Sequence, residues 1–212
     1  MANRVFTLPA TTSAAAWRDL LKSYDEPLWL SRGAVPTREE IVSPIIMRDE
    51  HLHRYGYFIL TSEVVALIAE RFKDMRAVEV GAGKGYLSSH LRQAGMAITA
   101  TDSGEWAMGE NYCDIRRLDA AAAIEDDHQL VVLTWPPYEE SMGFRALEKV
   151  RVGQYFLYQG EGSGGCCAEE AFFDLLHSDA FEEDEAFSRS LNSNHARFRG
   201  MHDHWGLYRR VK

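Results

Sequence analysis

The sequence predicts an α/β fold: a doubly wound, mostly parallel seven-stranded sheet with an antiparallel edge strand, plus an irregular or helical N-terminal extension. Three observations lead there. From residue 77 onward short apolar runs alternate with segments of helical periodicity, the pattern of parallel strands joined by right-handed helical crossovers. The first such run enters closely spaced glycines and then a helix, the turn that opens a ligand crevice in sheets of this kind. The length, 212 residues, suits one core better than two full domains.

Residues 1–60 carry scattered apolar positions, with helix-like runs near Ser13–Lys22 and Thr37–Ile41 that Pro27, Pro36 and Pro44 are expected to break. Trp17, Trp29, Tyr55 and Tyr57 are too many large aromatics for a disordered tail. The segment is therefore read as a cover for the substrate side of a domain spanning residues 61–212. Thr61 or Ser62 caps a helix with Glu63 in its first turn and Val64, Val65, Leu67, Ile68 and Phe72 along one side.

The alternation that follows is strand Ala77–Val80, helix Tyr86–Gln93, strand Ala97–Thr101, a loop to Ile115–Leu118, an Ala-rich Ala120–Ile124 and strand Leu130–Leu133. After it come helix Met142–Val150, strand Gln154–Tyr158, the glycine-rich loop Gly160–Gly165 and helix Ala168–His177. The tail segments Glu185–Leu191 and Trp205–Val211 suit an antiparallel pair at the sheet edge.

Composition narrows the function. A formal charge of −9, from 23 Lys and Arg against 32 Asp and Glu, disfavours broad attraction to nucleic acid or anionic lipid, so a small molecule or a protein is the expected partner. Cys113, Cys166 and Cys167 form no pairing framework and read as reduced thiols. No apolar h-region opens the chain, and no run of about eighteen apolar residues occurs; a cytoplasmic location is expected. His51-x-His53 and the His202/His204 pair lack a matched Cys or carboxylate cluster, and no metal is assigned.

The strongest motif is Ala77-Val78-Glu79-Val80-Gly81-Ala82-Gly83-Lys84-Gly85-Tyr86. Missing Cβ atoms let the chain turn tightly and let a nucleotide-like ligand approach the backbone at a helix N-terminus. The spacing is Gly-x-Gly-x-Gly, not the Gly-x-Gly-x-x-Gly of dinucleotide sites, and Lys84-Gly85-Tyr86 lacks the Lys-Ser/Thr ending of a phosphate loop.

In these residues the chain resembles the class I, Rossmann-like S-adenosylmethionine-dependent methyltransferases, whose first motif sets an acid on the first strand before Gly-x-Gly-x-Gly. The resemblance implies that Glu79, Gly81, Ala82, Gly83 and Gly85 lie at the methionine part of S-adenosylmethionine. It implies that Asp102, ending the second strand, accepts both ribose hydroxyls, and that Asp119 faces the adenine amino group. A turn carboxylate and a helix cap account for the same two acids without a ligand.

Val131 to Tyr138 is the second anchor: a buried strand leaves into Trp135-Pro136-Pro137-Tyr138 at the carboxyl edge of the sheet. It looks like the methyltransferase fourth motif, which in amino-group methyltransferases begins with Asn, Asp or Ser. Trp135 takes that place here and is counted with the cofactor residues; the departure argues against nucleobase or amide N-methylation. The carbonyls of Trp135 and Pro136 are candidates to orient an amine, and Tyr138 is a stacking surface for a flat or cationic group.

From Tyr55 to Arg210 the chain is also similar to one branch of these proteins that joins Glu-x-Gly-Ala-Gly-x-Gly-Tyr, Trp-Pro-Pro-Tyr, Gly-Glu-x-x-Gly-Gly-Cys and a late His-Asp. That likeness implies no particular substrate. Tyr138, Glu161 and His202 are the candidate catalytic residues, expected to converge on one crevice, with His202 oriented by Asp203 as a proton acceptor. The expected activity is methyl transfer from S-adenosylmethionine to a small-molecule or protein acceptor. The alternative is a protein that binds the same cofactor without turnover, for sensing or assembly.

Overall fold

A computed structural model describes residues 11–25, 37–105 and 109–212. Pro27, Trp29 and Pro36 lie outside the described residues. The elements are α1 (Ala14–Asp25), α2 (Arg38–Tyr55), α3 (Ser62–Phe72), β1 (Arg76–Val80), α4 (Tyr86–Gln93), β2 (Ala97–Asp102) and β3 (Ile115–Arg117). They continue with β4 (Leu130–Thr134), α5 (Met142–Lys149), β5 (Tyr155–Gly160), α6 (Glu170–Leu176), β6 (Phe181–Glu183), α7 (Glu185–Ser193) and β7 (His204–Arg210).

The strands form one seven-stranded sheet in the order β3-β2-β1-β4-β5-β7-β6. β3, β2, β1, β4 and β5 pair in parallel, while β7 runs antiparallel to both β5 and β6. This is the doubly wound arrangement expected from the sequence. The strand order reverses between β1 and β4, and the carboxyl ends of those two strands flank the crevice where such sheets bind ligands.

Alternation along the strands divides two apolar layers, as a period of two requires. Ala77, Leu130, Val132 and Leu157 face a layer built with α3, α4 and α7, and Val78, Val131, Leu133, Phe156 and Tyr158 face one built with α5 and α6. Thr61 caps α3 by accepting from the Val64 amide at 3.3 Å, and Val64, Ile68 and Phe72 of that helix are fully buried.

The N-terminal part is more regular than the prolines suggest. α2 runs 18 residues straight through Pro44. Pro44 removes one amide donor and crowds the carbonyl four residues back. Pro44 is half-buried and lies one turn before Met47 and two before the buried His51, on the side of the helix that packs against the rest of the chain, so tertiary packing overrides the local penalty. α1 is anchored by the Ala14 amide donating to Glu63 at 2.9 Å. Trp17, Met47 and Met201 pack around Leu21, Ile59, Ala196 and Phe198.

One expected strand is a helix. Glu185–Ser193 forms α7, and the strand antiparallel to Trp205–Arg210 is the shorter Phe181–Glu183. Asp184 decides this by accepting from the Phe187 amide at 3.0 Å. Phe187 and Leu191, one turn apart, then face the core beside Phe72. Asp184→Ala should remove this cap together with the Arg71 ion pair at 2.6 Å, costing about 1 kcal/mol. Urea unfolding checks the loss, and an unchanged midpoint would show that packing alone holds α7.

Candidate functional site

The carboxyl edge of the sheet opens into a cavity of about 1320 Å³ at the β1/β4 reversal. Its floor is the glycine turn. Gly81 leaves β1 with φ 64°, a backbone that favours glycine, and a Cβ there would stand 3.0 Å from the Met142 methyl, so a side chain would be strained and would press on Met142. The Ala82 amide donates to the Thr101 carbonyl at 2.9 Å. One Asp102 oxygen accepts from the Gly83 amide at 2.9 Å and the other from the Gly104 amide at 2.8 Å. Asp102 thus clips the glycine turn to the end of β2 while each oxygen keeps a further lone pair for a ligand.

Gly85 serves packing. A Cβ on it would lie 2.6 Å from both Cys113 Sγ and Ile115 Cδ1, so this glycine lets α4 seat against β3, and it does not line the cavity. Glu79 reaches under the turn: one carboxylate oxygen accepts from the Ser88 amide at 3.1 Å and from its hydroxyl at 2.5 Å. Its burial is almost complete, and desolvation pushes its carboxyl up from 4.5 to about 7 against the opposing Ser88 hydrogen bonds.

Of the expected cofactor residues, Glu79, Gly81, Ala82, Gly83, Asp102, Asp119 and Trp135 line this one cavity. Asp119 is occupied locally. One oxygen accepts from the Ala121 and Ala122 amides at 3.0 and 3.3 Å, and the other pairs with Arg145 at 3.1 Å, so it caps a turn while standing at the cavity wall.

The wall above is the loop after β4, and its backbone is forced. Trp135 at φ 48°, Glu139 at φ 57° and Ala168 at φ 52° are the non-glycine residues with positive φ among those described, and all belong to two mutually bonded loops. The Glu139 amide donates to the Ala168 carbonyl at 3.0 Å and the Ala168 amide to the Pro136 carbonyl at 3.2 Å. Left-handed backbone at a bulky residue costs of order 1–3 kcal/mol and persists at sites that surrounding contacts over-determine. The Pro136 carbonyl, a candidate amine acceptor from the sequence, is engaged by that amide. Tyr138 lines the cavity and is 58% exposed.

Two candidate catalytic residues stand elsewhere. Neither Glu161 nor His202 is part of the cavity lining. The buried Glu161 carboxylate accepts from the Cys166 amide at 2.8 Å and the His202 amide at 2.7 Å, so it braces the loop after β5 and delivers Cys166 to the cavity wall. The side chain that Asp203 orients is His195, not His202: Asp203 accepts from Gln159 at 2.6 Å and meets His195 Nε2 at 2.8 Å. Both members of the pair are 2% exposed, which removes them from solvent and from the cavity, whereas His202 is exposed.

The N-terminal segment supplies what the sequence motifs missed. Asp49, Leu52, His53, Tyr55, Tyr57 and Phe58 line the cavity. The Lys84 ammonium donates to the His53 carbonyl, the Tyr112 hydroxyl donates to the Arg54 carbonyl at 3.1 Å, and Tyr55 packs on Tyr86 with ring centroids 4.9 Å apart. Tyr57 lies parallel to Trp135 at 5.3 Å with planes 10° apart. Tyr55 and Tyr57 were legible only as aromatics too numerous for a tail; Lys84 and Cys166 sat unassigned inside the motifs. At the amino edge of the sheet, Glu125, Asp127 and His128 gather, with Arg76 paired to both carboxylates.

Glu79 gives the stability a pH dependence. Its carboxyl titrates near 7 folded and near its ordinary 4.5 unfolded, so folding takes up a proton between those values. The stability this contributes is complete below about pH 4.5 and is lost as pH rises to about 7, with a slope of at most about 1.4 kcal/mol per pH unit. In urea titrations from pH 5 to 8, wild-type stability should fall relative to Glu79→Gln up to about pH 7 and then run parallel. Parallel curves throughout would mean Glu79 is ionised in the folded chain.

The sequence matches no described protein family, and no curated protein matches it. Among solved structures the chain is similar to the magnesium protoporphyrin IX methyltransferase of Synechocystis PCC 6803 with bound SAM, at 16% identity over 97% of this chain and 100% of that one, with a TM-score of 0.48. It is similar to an rRNA methylase from Streptococcus thermophilus, at 13% identity over 84% and 100% with a TM-score of 0.44. It is also similar to the mitomycin 7-O-methyltransferase, at 13% identity over 92% and 67% with a TM-score of 0.45.

Proposed function

We propose that the cavity binds S-adenosylmethionine and that the protein is a methyltransferase acting on a small acceptor held between the Trp135–Tyr138 loop and the N-terminal helices. The observation that carries this reading is the Asp102 clip. A carboxylate at the end of β2, fastened to the glycine turn through the Gly83 amide, stands where two vicinal hydroxyls can donate to its remaining lone pairs.

The residues present fit the cofactor. The side-chain-free turn at Gly81 leaves backbone surface for the methionine part, Asp102 suits a ribose, and Asp119 and Ala120 bound the cavity beside them. The volume exceeds the roughly 300–1,000 Å³ of an ordinary single-ligand pocket, which leaves room for an acceptor of small-molecule size. When bound, the cofactor supplies an electrophilic methyl group on its sulfonium. Tyr57, Trp135 and Tyr138 orient the acceptor, and α2 excludes water from that side. Alignment of this kind is worth roughly 7–11 kcal/mol of barrier, so a dedicated acid or base is not required of Glu161 or His202.

S-adenosylhomocysteine should bind and raise the melting temperature, because a ligand that binds only the folded state stabilises it by mass action. Asp102→Ala should weaken binding by about 1–3 kcal/mol, the range for leaving buried polar partners unmatched. Calorimetry on both proteins checks this. No heat at millimolar ligand with wild type would remove the reading, and equal affinities would displace the ribose from Asp102.

A further inference from the structure

We infer that the acceptor is a planar aromatic molecule carrying positive charge, held against Tyr57, Trp135 and Tyr138 with Glu140 of the same loop as a counter-charge. The inference rests on the methyltransferase reading of the same cavity. Its first ground is aromatic surface. Tyr57 and Trp135 are already stacked in parallel at 5.3 Å, yet Tyr57 is 53% and Tyr138 58% exposed, and all three line the cavity. Broad ring faces left open inside a cavity favour a ligand that covers them, and a flat one covers the most area for the fewest ordered bonds.

The second ground is that the orientation of this wall is enforced. Trp135 and Glu139 hold left-handed backbone, and the Glu139 amide is bonded to Ala168, so the loop presenting Trp135 and Tyr138 is set before any ligand arrives. Strain retained at a ligand-facing loop is a mark of preorganisation.

The third ground is charge. Among the described residues Glu105 and Glu140, both lining the cavity, form no ion pair, whereas the lining Arg145 is neutralised by Asp119. Lys84 is the remaining lining cation outside the histidines, and its ammonium is drawn to the His53 carbonyl. An anionic acceptor would meet unpaired carboxylates, while a cation gains both them and the ring faces.

The test titrates three probes into protein saturated with S-adenosylhomocysteine and into free protein, by calorimetry at pH 7.5 (about neutral, so that the amines stay charged). The probes are 4-aminoquinoline, a planar cation; 2-naphthoate, a planar anion; and cyclohexylamine, a cation without a ring face. 4-Aminoquinoline should bind about tenfold or more tighter than either other probe. Trp135→Leu and Tyr57→Leu should each lose about tenfold for it, and the exposed Glu140→Gln, which leaves the fold untouched, about threefold. Equal or tighter binding of 2-naphthoate overturns the charge, equal binding of cyclohexylamine overturns the aromatic wall, and no binding of 4-aminoquinoline overturns the inference whole. Failure of S-adenosylhomocysteine to bind counts against the methyltransferase reading alone, since the free-protein titrations still rank the probes.

Discussion

A buried carboxylate under a glycine turn governs this molecule. Glu79 accepts both the amide and the hydroxyl of Ser88, which ties the end of β1 to the first turns of α4 and leaves the intervening chain a single short path. That path needs left-handed backbone at Gly81, Gly83 and Gly85, and the last of these must also lack a Cβ so that α4 can rest on Cys113 and Ile115. Desolvating an acid here is costly, and two hydrogen bonds from one serine offset only part of that cost. The return is a turn whose outer side is bare backbone, with Asp102 drawn against it from β2.

What was legible in the sequence is what local chemistry decides. β1, α4 and β2 are short, strongly patterned and end at glycine or acid, β4 is an apolar run that ends before Trp135-Pro136, and all four lie where hydrophobic period and turn residues put them. Asp102 was legible because its place at a strand end is a local fact. Glu185–Leu191 misled because a nine-residue helix and a short amphipathic strand look alike until the cap at Asp184 is weighed against the core contacts of Phe187 and Leu191. Pro44 misled because its local penalty is outweighed by the tertiary packing of the same helix face through Met47 and His51.

The reaction side was less legible, since it depends on contacts distant in sequence. His202 and Asp203 are adjacent in the chain, yet alternation along the extended segment turns Asp203 inward to Gln159 and His195 and leaves His202 outside. Glu161 looks available in a glycine-rich loop, but both of its oxygens are claimed by backbone amides forty-one and five residues away. Tyr57 carries no motif; only the fold reveals it lying flat on Trp135. The strained loops at Trp135, Glu139 and Ala168 and the stacked pair mark the same edge of the sheet as the Asp102 clip, which is why donor and acceptor are assigned to one crevice.

A crystal structure of the protein grown with S-adenosylhomocysteine tests this account most directly. Density is expected for the ribose hydroxyls on the Asp102 carboxylate, the amino-acid part along Gly81–Gly83, and the sulfur directed toward the open space before Trp135 and Tyr138. A ligand bound away from Asp102, or with its sulfur turned from the aromatic wall, would contradict it.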